Sequence, residues 1–240
     1  MEASEKNNYR PLQKMFMSVP PRYDLLNRIL TLRFDERWRK KATRQLLDNR
    51  PKRLLDLCTG TGDLALRLRK NAPVETEVYA LDFSQPMLEI AREKAARRNI
   101  SGVDFRFGDA ADMPYEDGFF DGLGIAYAFR NRTYKDPDAH KFFAEIRRVL
   151  RKGGQFVAVE TSQPDNPLIR KLYHAQMRYI TAPVGGLLTG EKEAYKYLAY
   201  SASDFYTPEE MKKILLTAGF AKVDYQQLLG GVAVLWTCTK

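Results

Sequence analysis

A chain of 240 residues, 44% hydrophobic and 29% charged, carries enough apolar side chains for one large α/β domain and excludes a disordered or fibrous class. Two cysteines, Cys58 and Cys238, and two histidines are too few for a disulfide framework or a zinc centre, so no metal is expected. The excess of 39 basic over 30 acidic residues, +9 in all, draws a protein towards polyanions, either nucleic acid or an anionic membrane surface.

From the N-terminus, residues 1–50 read as a helical segment, with Pro20-Pro21 breaking it before a helix over Tyr23–Leu30. Met1–Arg10 is polar and mixed in charge, unlike a secretory signal. No apolar run approaches the ~20 residues that span a bilayer, so the expectation is a cytoplasmic protein. Strand and helix patterns then alternate. Arg53–Leu57, Glu77–Asp82, Val103–Phe107, Phe120–Ala126 and Gln155–Thr161 are short apolar runs that predict five strands. Amphipathic stretches at Asp63–Asn71, Gln85–Arg98 and Asp138–Arg151 predict the helices between them. Ser84-Gln85-Pro86 opens one helix and Lys152-Gly153-Gly154 is expected to stop another. Such alternation implies a parallel sheet covered on both faces.

Residues 163–206 break the pattern as an insertion rich in Tyr, Leu and Gly. Thr207-Pro208-Glu209-Glu210 then starts a helix running to about Ala218. Two final apolar runs, Lys222–Gln226 and Val232–Thr239, flank Leu228-Leu229-Gly230-Gly231 and predict an antiparallel hairpin. A mostly parallel seven-stranded sheet with an antiparallel last strand is the Rossmann-like architecture of class I methyltransferases. An ordinary nicotinamide-binding fold lacks that hairpin.

The sharpest local signal is Leu54-Leu55-Asp56-Leu57-Cys58-Thr59-Gly60-Thr61-Gly62-Asp63. A strand ends, the chain turns through two glycines, and a helix begins. Gly60, Gly62 and Ala65 also spell the start of the dinucleotide fingerprint, and Asp82 stands where a carboxylate accepts ribose hydroxyls in either cofactor class. The Asp56-x-x-x-Gly60-x-Gly62 spacing favours S-adenosylmethionine, with Asp56 holding the loop and the ammonium of the cofactor's aminoacyl end. Gly108-Asp109-Ala110, after the third strand, lies where an acid meets an adenine amino group.

Beyond the loop, the chain resembles the ubiquinone/menaquinone biosynthesis C-methyltransferase family. Tyr23-Asp24-Leu25-Leu26-Asn27, Leu30-Thr31 and Arg37-Trp38-Arg39 are similar to its N-terminal pattern, with Leu26 for a Met and Asp35 where a His is expected. Arg130-Asn131 after Ala128-Phe129 is similar to the family's Gly-Leu-Arg-Asn. Arg148-Val149-Leu150-Arg151-Lys152-Gly153-Gly154, continuing to Glu160-Thr161-Ser162, matches except that Lys152 replaces a proline. The tail resembles the family from Ala194-Tyr195-Lys196-Tyr197-Leu198 through Gly219-Phe220 to Gly230-Gly231.

The resemblance implies methylation of a ring carbon of a polyprenyl hydroquinone, either demethylmenaquinone or the ubiquinone precursor. It places Thr61, Asp82, Asp109 and Ala110 on the cofactor. A small hydroxyl residue of the fourth strand is replaced by Ala126. The resemblance gives Arg130 and Asn131 active-site roles, with Tyr23 near the reactive methyl. Arg130 is too basic to be the base, so it is expected to stabilise a developing oxyanion or to position a water that takes the proton. Asn131 would orient the ring hydroxyl or that water.

Plainer readings stand beside these. Arg130 pairs with Asp121 or Asp136 at the surface, and Asn131 is a turn residue. Cys58 and Trp38 are packing residues, and His140 is solvated. His174 is a weaker candidate for general base. The insertion, around Met177–Leu188, is either a helical cap over the core or a lid over the polyprenyl tail. Peripheral contact with the inner face of the membrane and a homodimer are further expectations. A nucleic-acid methyltransferase would show a basic block with interleaved aromatics, and none is present, so nucleic acid is not an expected partner. A non-enzymatic scaffold, or methylation of another small molecule, remain alternatives.

Overall fold

A computed structural model describes Arg28 and residues 31–240. Apart from Arg28, the helix expected over 23–30, and Tyr23 with it, lies outside the described residues. After helix α1 (Phe34–Leu47), the core alternates: β1 (Arg53–Leu57), α2 (Asp63–Asn71), β2 (Glu77–Asp82), α3 (Gln85–Arg97), β3 (Val103–Phe107), β4 (Phe120–Ala126). A short α4 (Phe129–Thr133), α5 (Ala139–Val149) and β5 (Leu150–Thr161) follow. The strands form one sheet in the order β3-β2-β1-β4-β5-β7-β6, closed by β6 (Lys222–Leu228) and β7 (Ala233–Thr239). β7 runs antiparallel to both β5 and β6. It is last in the chain but second from the edge, with β6 outside it.

Alternation along the strands divides the core. Leu55, Leu57, Phe156, Ala158 and Trp236 face one layer, packed with Phe142 and Ile146 of α5 and with Met211 and Leu215 of α9 (Pro208–Thr217). Leu54, Val78, Val157 and Val159 face the other, under Trp38, Ala42 and Leu46 of α1 and Leu64 and Leu68 of α2. α1 comes this close because β4 offers no side chain at Gly124, where a Cβ would lie 2.7 Å from Leu46 Cδ1.

Local chemistry sets most boundaries. Ser84 caps α3, its side chain accepting from the Met87 N–H, and Thr207 caps α9 in a reciprocal box with Glu210. One boundary departs from the sequence reading. The glycine stop expected at Lys152-Gly153-Gly154 is a bulge inside β5, and α5 already ends at Val149. Gly153, at φ 74°, lets the strand kink while its N–H donates to the Lys240 carbonyl at 3.0 Å.

Within the insertion stand α6 (Pro167–Gln176), a π turn (Met177–Thr181), α7 (Ala182–Thr189) and α8 (Lys192–Ser203). Tyr173, Met177, Ala199 and Ala202 give it a small core of its own. Among the described residues, no helix is long and apolar enough to cross a membrane.

Candidate active site

Sheet order reverses between β1 and β4, and a crevice opens beyond the carboxyl ends of such strands. The β1–α2 loop forms one wall. Cys58, Gly60 and Gly62 all take positive φ, at 54°, 55° and 81°. A Cβ on Gly62 would lie 2.9 Å from the Ala91 Cβ, whereas one on Gly60 would meet nothing within 4 Å. The loop is therefore pressed against α3 on its back and open at Gly60, a cradle that a larger residue would fill.

Asp56 staples this loop: Oδ2 accepts from the Thr59 hydroxyl at 2.5 Å and from the Ala65 N–H at 2.8 Å. Burial pushes its carboxyl up to about 7, opposed by those two hydrogen bonds and by Arg39. Asp82, at the end of β2, accepts from the Gly60 N–H at 2.7 Å and from the Ser84 N–H at 2.9 Å. Burial also raises its carboxyl. With the Phe83 N–H as a third donor, one of the carboxylate's about four acceptor positions is left for a ligand hydroxyl.

These groups line a cavity of about 570 Å³, within the usual range of small-molecule sites. Asp56, Gly60, Thr61, Asp82, Asp109 and Ala110 border it. Gly62 does not, and acts only by shaping the turn. Thr61 accepts from Lys94 Nζ at 2.9 Å, and that buried lysine pairs with Asp63 at 3.0 Å. Although burial opposes ionisation of Asp63, Lys94 beside it holds its carboxyl below the ordinary range. Asp109 stands at the exposed rim, its Oδ1 accepting from the Ala111 N–H at 2.9 Å.

The far half of the cavity is built from β4, β5 and the insertion. Arg130 and Asn131 both border it. The surface pairing of Arg130 with Asp121 or Asp136 is overturned: Arg130 is 5% exposed, while Asp121 is bound by Arg151 Nε at 2.5 Å. The Arg130 guanidinium donates through Nη1 to Ser201 of α8, and Nε lies 3.9 Å from Glu160 Oε1. Tyr173 and Tyr195 of the insertion wall this end. Burial pushes the Tyr173 hydroxyl up to about 12.

His174 does not join them. It is absent from the cavity wall, and its Nε2 meets Gln163 Oε1 at 2.7 Å. Asp35, where the resemblance expects a histidine, accepts from Arg39 at 2.6 Å and from the Thr31 hydroxyl at 2.8 Å. The Arg39 guanidinium lies 4.8 Å above the Tyr127 ring. Trp38 is a packing anchor stacked on Phe34, and it also borders the cavity. Cys58 packs against the core, and burial drives its thiol far above the reactive range.

Lys94, Arg39, Glu160, Tyr173 and Tyr195 had no assigned role in the sequence reading. Arg39, Glu160 and Tyr195 carried a signal there, as members of motifs.

A model of the ubiE/COQ5 methyltransferase family matches residues 2–240. The chain is similar to the demethylmenaquinone methyltransferase of Thermus thermophilus, with 43% identity over 92% of this chain and 97% of that protein. It is also similar to the ubiquinone/menaquinone biosynthesis C-methyltransferase UbiE of Citrifermentans bemidjiense, with 35% identity over 95% and 96% of the two chains. Among solved structures, a SAM-dependent methyltransferase from Aquifex aeolicus shares the fold. Its TM-score is 0.57 at 19% identity, covering 82% of this chain and 88% of that one.

Proposed function

Because the chain belongs to the ubiE/COQ5 methyltransferase family, we infer that it transfers a methyl group from S-adenosylmethionine to a ring carbon of a polyprenyl hydroquinone, in menaquinone or ubiquinone biosynthesis. The observation that carries this reading is one continuous cavity, with the Asp56–Asp82 loop at one end and the buried Arg130 at the other. Demethylmenaquinone is the first acceptor to test, since the relative at 43% identity carries that name.

The residues present fit the cofactor. The open cradle at Gly60 would let the cofactor approach the loop backbone, Asp82 has acceptor capacity left for a ribose hydroxyl, and Asp56 would hold the ammonium. Asp109 and Ala110 would hold the adenine. When bound, S-adenosylmethionine supplies an electrophilic methyl group on sulfur. A ring carbon becomes nucleophilic enough to take it as the neighbouring hydroxyl loses its proton, because the oxygen's charge spreads to the ortho carbon. Arg130 favours that charge from a buried position where electrostatic interactions are strong. Asn131, next to it on the cavity wall, orients the ring hydroxyl. Both roles are assignments of this reading.

Above the cavity, the insertion turns Tyr179, Ile180, Leu187 and Leu188 outward, between 53% and 79% exposed. With Lys171 and Arg178 in the same stretch, this surface supports peripheral contact with the bilayer that dissolves the acceptor's tail.

Methyl transfer from labelled S-adenosylmethionine to reduced demethylmenaquinone, and to the reduced ubiquinone precursor, tests the reading beside an Arg130→Ala variant. Carbon-methylated product from either quinol, lost in the variant, is the expected result. Cofactor binding without product from either acceptor would overturn the choice of substrate.

A further inference from the structure

We propose that Glu160 takes the proton from the acceptor's ring hydroxyl while Arg130 holds the same oxygen. The proposal rests on the quinol reading above and names the base which that reading leaves open.

Glu160 is the penultimate residue of β5, 1% exposed, and borders the cavity. An ionised carboxylate has about four acceptor positions. Oε1 accepts from the Thr161 N–H at 2.9 Å and its hydroxyl at 3.1 Å, and Oε2 accepts from the Arg130 N–H at 3.1 Å. Among the described residues, one position on Oε2 is left. The adjacent donor is also incomplete. Arg130 Nε is buried with no hydrogen-bond partner among the described residues, and at 3.9 Å from Oε1 it pairs with the carboxylate by charge alone. Buried groups left in this state are expensive unless a ligand completes them. A ring hydroxyl that donates its hydrogen to the open position on Oε2 would bring its oxygen beside the Arg130 guanidinium.

The other acidic residues on the cavity wall are committed elsewhere. Asp35 is bound by Arg39 and Thr31, Asp56 and Asp82 hold the glycine loop, Asp63 pairs with Lys94, and Asp109 stands at the exposed rim. The Tyr173 hydroxyl, pushed up to about 12, stays protonated.

The proton moves as the new bond forms rather than before it, because attack by the ring carbon draws electron density from the oxygen and weakens its O–H bond. The O–H electron pair enters the ring, the ortho carbon bonds to the methyl group, and the sulfonium C–S bond breaks to leave a neutral thioether. The ring carbon then loses its own hydrogen to solvent, and Glu160 returns its proton to the oxygen. One proton is released per methyl transferred, and the carboxylate ends as it began.

The test compares Glu160→Gln and Glu160→Asp with the unaltered protein on 1,4-naphthohydroquinones made progressively more acidic by ring fluorination. Glu160→Gln should lower kcat on the unfluorinated acceptor by about 10²-fold or more and leave calorimetric binding of S-adenosylhomocysteine unchanged. The deficit should shrink as the acceptor's own acidity replaces the base, and Glu160→Asp should lie between. A deficit constant across the series, or none, overturns the proposal and assigns Glu160 a structural role. If Glu160→Gln fails to fold beside the buried Arg130, Glu160→Asp carries the same comparison with its charge kept. If the unaltered protein methylates no quinol in the series, the functional reading falls and this proposal with it.

Discussion

Asp56 holds two obligations in one carboxyl, and titration separates them. An ordinary aspartate ionises near 3.8 and Asp56 near 7, because it is buried beneath the loop it staples. That gap corresponds to about 4 kcal/mol between its two protonation states. A carboxyl raised on folding contributes stability that is full below about 4 and is lost as the pH rises through about 7. In the function proposed above, the ammonium of the cofactor needs the ionised form. Below 7, each pH unit should therefore weaken cofactor binding about tenfold, about 1.4 kcal/mol. Asp56→Asn keeps an oxygen for Thr59 and Ala65 but carries no charge at any pH. At pH 8 the variant should resist urea better than the unaltered protein, by about 1–3 kcal/mol of the 4. As the pH falls to about 4 the gap should close. Calorimetric titration with S-adenosylmethionine should show affinity rising about tenfold from pH 5 to 6 in the unaltered protein, and weak, nearly flat binding in the variant. Flat affinity in the unaltered protein over that range, or equally tight binding by Asp56→Asn, would refute the reasoning.

Two glycine replacements test the packing around the site. Gly62→Ala combines φ 81° with a Cβ 2.9 Å from Ala91 and should lower stability by about 1–3 kcal/mol in a urea melt. Gly60→Ala meets no neighbour within 4 Å, so its larger effect should appear in cofactor affinity. In the insertion, a Cβ on Gly185 would overlap the Tyr195 ring, and Gly185→Ala should displace that wall at about 1–3 kcal/mol. Steady-state kinetics should then show KM for the quinol rising more than KM for S-adenosylmethionine.

What was legible in the chain depended on distance along it. β1, β2, β3 and β4 have the limits read from their apolar runs, because each run is bounded by turn chemistry. The start of β5 was hidden because Arg151-Lys152-Gly153-Gly154 is polar and glycine-rich, and a bulged strand then resembles a helix stop. That the expected cofactor residues share one cavity wall was legible because Asp56, Gly60 and Thr61 lie within six residues, and Asp82 and Asp109 each end or follow a strand. The acceptor side was legible only through the family resemblance, which singled out Arg130 and Asn131. Without it Arg130 read as a surface arginine, because its partners, Glu160 and Ser201, are 30 and 71 residues away. Only folding the insertion back over β5 brings them together.

Both ends of the cavity break the rule that buried groups should be apolar or fully satisfied. Asp56 and Glu160 are each 1% exposed, and Arg130 is 5% exposed. Apolar residues of similar volume would pack at least as stably as a buried ion pair such as Arg130 with Glu160. Stability alone does not account for the placement, since Leu57, Ile125 and Val159, at the ends of the same strands, are fully buried apolar residues. The charges stand where β1, β4 and β5 deliver their carboxyl ends to one crevice, and local conflict of this kind is where function is expected to override packing.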